Sequence, residues 1–324
     1  MQVTAGRLTN QLISCLMRRA NRRKKVYRLI SALLLIVFLA GCGGDYKLTV
    51  PDQLAPMGKN VVVVARLQRN DFWIVNLSME EMALRFRLAD GQECSAHTDK
   101  HGYAAAQLAA PNRSDTYQVT VSLQDTDGEE VQTTAPAYVW AADSVVVAVD
   151  LDSLAVRKPG SQPWNLPKWL RWGKQNPAER EHVKQAVDME VISAAKAISQ
   201  IAAGGHVLYL TRNSSASYDE CRQLLKTNGY PDGPVLRWYR ERWHTERGSI
   251  KYVPKIVVES RMVSQLPAIC KNFPKLKNGI CMSALAARAF AEVGMTPIVI
   301  GSDAIGMSKV VRRSSWQDLL EKGF

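Results

Sequence analysis

Two stretches of this 324-residue chain place reactive side chains at the end of an apolar run. In SVVVAVDLDSLA, residues 144 to 155, the run stops at Asp150, and a second carboxylate, Asp152, follows two residues later. In HVLYLTRN, residues 206 to 213, a similar run stops at Thr211, with Arg212 behind it. A positioned carboxylate can serve as a nucleophile or move a proton as a general acid or base. The pair at 150 and 152 therefore has two readings: the catalytic edge of a hydrolytic enzyme, or a strand that ends in two solvated or helix-capping carboxylates. In an open parallel sheet, ligands bind outside the carboxyl ends of the strands, and Asp150 and Thr211 each sit just past such an end.

The elements that must hold these residues follow from periodicity. Over residues 141–324, buried runs (SVVVAV, HVLYL, GPVLRWY, KYVPKIVVE, TPIVIG) alternate with helical segments. The helices are read in EREHVKQAVDMEVISAAKAISQIAAGG, SYDECRQLLKTNG, MVSQLPAICKNF and MSALAARAFAEVG, and SWQDLLEKGF is a last amphipathic piece. Strands alternating with helices indicate an α/β fold with a parallel sheet covered on both faces. Residues 45–140 differ. NVVVVARL, MALRFRLA, YAAAQLAA, TYQVTVSLQ and QTTAPAYVW are short alternating or β-branched runs, separated by turn sequences such as ADGQ and DTDGEE. That spacing fits a small all-β sandwich. His97 and His101 flank one of these turns, where a four-residue spacing does not converge on a metal as it would on a helix.

VVVAVDLDSL and HVLYLTRN, in that order, resemble the first two motifs of the haloacid dehalogenase superfamily: an apolar strand followed by Asp-x-Asp-x-Thr, and an apolar strand ending in Thr or Ser. The continuation NSSASYDECRQLLKTNGYPDGPVL resembles the lipin-type branch, in which a Thr-Arg pair leads to a helix and a Gly-x-Pro-x-Gly-Pro turn. Gly229, Pro231, Gly233 and Pro234 match that turn. The resemblance spans residues 144 to 303 and implies a three-layer Rossmannoid parallel sheet, preceded by an immunoglobulin-like sandwich. It also implies roles: Asp150 as the nucleophile that forms an aspartyl-phosphate, Asp152 as acid-base, Thr211 and Arg212 as phosphate-binding residues, and magnesium on Asp150.

The chain departs from that pattern at several positions. Leu154 stands where the family has Thr. Lys251, Lys255 and Arg261 compete for the place of the third-motif lysine. The fourth-motif stretch, KNGICMSALAARAFAEVG, has no carboxylate before Glu292, with Ser283 and Ala286 where a metal-binding acid is expected. Asp303 is either a partial replacement for that acid or a loop cap. Magnesium would then keep Asp150, a backbone carbonyl and waters, a weak site. Two functions are open: a magnesium-dependent phosphohydrolase for a phosphorylated small molecule or lipid, and a catalytically degenerate relative that binds a partner or anion without turnover. QPWNLPKWLRW, with Lys168, Arg171 and Lys174, lies where the family inserts caps. It either meets lipid headgroups or an anionic substrate, or packs a long connection.

The N-terminus carries an address. Residues 1–41 hold eight basic side chains and no acid, then an apolar run from Leu29 to Ala40 too short for a membrane span. Leu39-Ala40-Gly41-Cys42 resembles a bacterial lipobox, which implies a cleaved signal peptide and a diacylglycerol on Cys42. Gly43 behind it resembles lipoproteins sorted to the outer membrane, facing periplasm or cell surface. Met17 is a second candidate start. Of 42 basic residues, the 34 beyond this segment face 30 acidic ones, so the net charge of +12 is mostly address and does not indicate a nucleic-acid binder. Cys94, Cys221, Cys270 and Cys281 remain, with three disulfide pairings open and no Cys-x-x-Cys spacing for zinc.

Overall fold

The computed structural model describes residues 45–71, 75–124, 130–154, 177–212, 218–238, 266–301 and 309–323. Cys42, the Trp-rich stretch with Lys168, Arg171 and Lys174, the strand expected in KYVPKIVVE, and Lys251, Lys255, Arg261 and Asp303 lie outside these residues. The chain divides into two compact units, one of Met1–Lys47 with Leu67–Met79 and one of Leu48–Arg66 with Glu80–Phe324.

The first strands are β1 (Asp45–Thr49), β2 (Gln53–Pro56), β3 (Asn60–Asp71) and β4 (Val75–Ser78). In the smaller unit, the end of β3 pairs antiparallel with β4, Gln68 opposite Ser78 and Asp71 opposite Val75. In the larger unit follow β5 (Ala83–Leu88), β6 (Glu93–His97), β7 (Tyr103–Ala109), β8 (Asp115–Gln124) and β9 (Glu130–Trp140). One sheet has the order β2-β9-β8-β5-β6, with β2 parallel to β9 and the other pairs antiparallel. The start of β3 pairs antiparallel with β7. Strict alternation builds these sheets. In ALRFRL, Leu84, Phe86 and Leu88 are buried while Ala83, Arg85 and Arg87 face water, the pattern of a sheet solvated on one face. The end of β9 breaks the alternation, because every residue from Ala135 to Trp140 is buried. Tyr138 and Trp140 leave the β-rich part and enter a core built by the second half of the chain.

That second half contains β10 (Val146–Asp150), α1 (Pro177–Ala203), β11 (His206–Thr211), α2 (Tyr218–Thr227), β12 (Val235–Arg237), α3 (Leu266–Asn272), β13 (Asn278–Cys281), α4 (Ala284–Glu292), β14 (Thr296–Ile300), β15 (Val311–Arg313) and α5 (Trp316–Lys322). Six strands form one parallel sheet in the order β12-β11-β10-β13-β14-β15. Its faces are both covered, as parallel sheets require. Val147 and Val149 pack against Ala194 and Ile198 of α1, Cys221 and Leu225 of α2 and Trp316 of α5. Val146 and Ala148 point the other way, to Leu266 of α3 and Ala286 and Phe290 of α4. The α/β layering expected from the sequence is present. The strand β13 was not expected, and neither was β15. The latter is three residues of mixed polarity at the sheet edge, paired to β14 through Ile298 and Val311, and it offers no apolar run to read.

Two glycines shape the turn between α2 and β12. Gly229, at φ 73°, ends α2, with Tyr230 N–H donating back to Leu225 O at 3.0 Å. At Gly233 a Cβ would sit 2.2 Å from Val207 O, so a side chain would push β12 off β11. The cysteine question also resolves among the described residues: Cys94, Cys221, Cys270 and Cys281 are all free thiols.

Candidate functional site

The order of the parallel sheet singles out one strand. After β10 the chain adds β11 and β12 on one side, then crosses to add β13, β14 and β15 on the other. The reversal makes the carboxyl end of β10 the topological switch point, where open α/β sheets bind ligands. Asp150 is the last residue of β10, opposite Leu210 of β11. A 3-10 turn over Leu151–Ser153 follows at once. It carries Asp152 and Ser153 back over the strand end, within reach of β11 and β13.

Asp150 is fully buried. Its Oδ2 accepts from Ser153 Oγ at 2.6 Å and its Oδ1 from Trp238 Nε1 at 3.2 Å. The Ser153 hydroxyl in turn accepts Met282 N–H at 2.9 Å, tying β10 to the residue after β13. Asp152 is partly exposed. Its Oδ1 accepts from Thr211 Oγ1 at 3.1 Å, and its Oδ2 accepts from Arg212 N at 2.9 Å and Arg212 Nε at 3.0 Å. Arg212 Nη2 lies 3.7 Å from Asp150 Oδ2. The structure therefore brings Asp150, Asp152, Thr211 and Arg212 into one connected cluster.

The electrostatics follow from burial. Loss of solvent pushes the Asp150 carboxyl up to about 6, and Asp152 adds to the rise; Arg212, Ser153 and Trp238 oppose it. Burial works against charge on Arg212, but Asp150 and Asp152 outweigh it and raise its pKa. Burial, reinforced by Asp150, drives the Cys281 thiol far above its usual range, so it is neutral.

Magnesium does not fit the donors in place. It needs near-octahedral oxygen coordination at about 2.0–2.1 Å, and both oxygens of Asp150 already receive hydrogen bonds. Where β13 meets α4, Cys281 is buried, and Ser283 spends its hydroxyl on the helix N-cap, accepting Ala286 N–H at 3.2 Å. Ala286 is sealed in the apolar core. Leu154, two residues after Asp152, is also a core residue. Among the described residues no group of three His, Cys, Asp or Glu side chains converges on a cation position. Sequence reasoning missed Ser153 and Trp238. A hydroxyl three residues after a strand-end Asp was a visible signal for Ser153. Trp238 had none, since its partner lies 88 residues away.

The chain matches no protein-family model and no curated protein. Among solved structures, a D,D-heptose 1,7-bisphosphate phosphatase from B. bronchiseptica, complexed with magnesium and phosphate, is similar over 55% of this chain and 96% of its own, at 13% identity and a TM-score of 0.32. A bacterial immunoglobulin-like domain of the M. primoryensis ice-binding adhesin is similar over 30% of this chain and 99% of its own, at 14% identity and a TM-score of 0.22. A carbohydrate acetylesterase from Xanthomonas citri is similar over 85% of this chain and 73% of its own, at 13% identity and a TM-score of 0.30. Likenesses this partial assign no activity.

Proposed function

We propose that residues 141–324 are a phosphohydrolase-type domain of the haloacid dehalogenase kind, acting on a phosphate monoester through Asp150, in a protein anchored by lipid on Cys42 to the bacterial outer membrane. One observation supports the enzymatic reading above others. The last residue of the switch-point strand, Asp150, lies 3.7 Å from the guanidinium of Arg212, which together with Thr211 at the end of the neighbouring strand is hydrogen-bonded to Asp152. In this reading an Asp150 oxygen attacks phosphorus, forming an acyl phosphate as the ester P–O bond breaks. Asp152 gives its proton to the leaving oxygen. Asp152 then takes a proton from water, which cleaves the acyl phosphate, releases inorganic phosphate and restores Asp150. Thr211 turns from Asp152 toward the phosphoryl oxygens, and Arg212 offers them the guanidinium edge that Asp152 leaves open. The protein supplies mainly position and charge, as phosphoryl transfer demands.

The test is phosphate release from a generic phosphate ester by the full chain. Asp150→Asn removes turnover, because an amide cannot form the acyl phosphate. Asp152→Asn slows it by about 10²–10⁴-fold. Turnover that survives Asp150→Asn shows that the nucleophile lies elsewhere.

A second reading, recognition of the phosphate group without turnover, is favoured by the bonds that already occupy the carboxylates. Asp150 accepts from Ser153 and Trp238, and Asp152 is held by two N–H groups of Arg212. A wild-type protein that binds inorganic phosphate but releases none from an ester establishes this second reading.

A further inference from the structure

We infer that Arg212 is the resident cation of this site, and that phosphate is bound there without a divalent metal. The inference rests on the phosphate-binding role proposed above and concerns what neutralises the charge. A phosphate monoester brings negative charge to a place that already holds two carboxyl groups, so a cation has to stand between them. Among the described residues, Arg212 is the cation the geometry supplies. Its Nε is bonded to Asp152 and its Nη2 leans toward Asp150, so one guanidinium spans both carboxylates. Its backbone N–H fixes the same Asp152 oxygen, which locks the base of the side chain in register with the strand end.

The guanidinium is not used up by these contacts. Its side chain keeps 32% of its surface exposed, and among the described residues Nη1 and Nη2 form no hydrogen bond. A planar fork with one edge on a carboxylate and another open matches two oxygens of a phosphoryl group, the pairing at which Arg excels and Lys does not. The remaining positions point the same way. Trp238 and Ser153 direct donors at the Asp150 oxygens that a metal would need, and Met282 N–H fixes Ser153 in that role. The turn into α4 spends its hydroxyl on its own cap. Among the described residues, a donor already engages each Asp150 oxygen and the turn into α4 brings no carboxylate beside it.

The experiment is calorimetric titration of inorganic phosphate into the detergent-solubilised full chain, in EDTA and again in millimolar magnesium. The expected result is the same affinity in both, within about twofold. Arg212→Lys, which keeps the charge and loses the fork, weakens binding by about tenfold or more in both buffers. Thermal unfolding of that variant confirms that it is folded, and Arg212→Gln serves as a second variant. Phosphate that binds in magnesium but not in EDTA overturns the inference and leaves the phosphate reading intact. Binding that is equal in the two buffers but unchanged in Arg212→Lys and Arg212→Gln overturns the role of Arg212. No phosphate binding in either buffer overturns both the inference and the reading beneath it.

Discussion

Ser153 joins two backbone elements through one oxygen, giving its hydrogen to Asp150 and accepting the N–H of Met282. Ser153→Ala leaves a buried carboxylate oxygen and a backbone N–H without that partner, a loss of about 1–3 kcal/mol. The expected outcome is a melting temperature lower by several degrees, with no change in the α/β content seen by circular dichroism. An unchanged melting temperature would mean that water reaches the strand end and replaces the hydroxyl. Trp238→Phe probes the other oxygen: the ring still meets Phe290, 4.9 Å away by centroid, while the N–H to Asp150 is gone. At this scale the sequence was legible where chemistry sits at the end of an apolar run. Asp150, Asp152, Thr211 and Arg212 could be picked out because each follows such a run. Their partners could not, because Trp238 and Met282 reach the site only after β12 and β13 take their places beside β10.

At the scale of elements, the joint between the β-rich part and the parallel sheet is polar and partly buried. Asp52, just before β2, accepts Val235 N–H at 2.8 Å and pairs with Arg222 of α2. Tyr138 of β9 donates to Asp232 at 2.9 Å, and Trp140 stacks on His206 with centroids 4.3 Å apart. Burial pushes the Asp52 carboxyl up to about 7 against the pull of Arg222 and Val235 N–H, with Asp232 and Asp219 adding to the rise. The folded chain therefore holds a proton on Asp52 at a pH where the unfolded chain has released it. The contribution of this group falls as pH rises from about 4 to about 7, and is flat above. Asp150 acts in the same sense from about 4 to about 6. His206, whose pKa burial lowers, opposes them on the acid side. The measurement is the urea midpoint at pH 5 and pH 8 for wild type and Asp52→Asn. The variant is expected to lose less stability than wild type between the two pH values, since an amide still accepts Val235 N–H and no longer titrates. Parallel slopes in the two proteins would refute the assignment. None of this joint was readable beforehand. Asp52 sits in an unremarkable PDQ, and the fact that decides its state, burial against α2, is tertiary.

At the scale of the whole molecule, the two kinds of periodicity correspond to a run of strands through Trp140 and alternating strands and helices from Val146 onward, because each face of each strand must meet a definite neighbour. β15 escaped because an edge strand of three residues carries no such pattern. The proposed lipid anchor makes its own prediction: Cys42→Ser is expected to abolish acylation and move the protein from the membrane fraction to the soluble one. A Cys42→Ser protein that still carries lipid ends the idea.

The link between the two parts has a mechanical meaning. Five residues, Ala141–Val145, join the end of β9 directly to β10, with Ser144 N–H closing on Ala141 O at 3.0 Å. In a chain tethered ahead of residue 45, tension would run along β9 and arrive at the central strand of the parallel sheet, the one that carries Asp150. The Asp52–Arg222, Tyr138–Asp232 and Trp140–His206 contacts offer a second route for that load, into α2, the turn before β12 and the start of β11. Forced unfolding is governed by the rate at which such restraints give way, so in a chain held by the proposed tether these three contacts would share a pull that otherwise passes through the strand that positions the site.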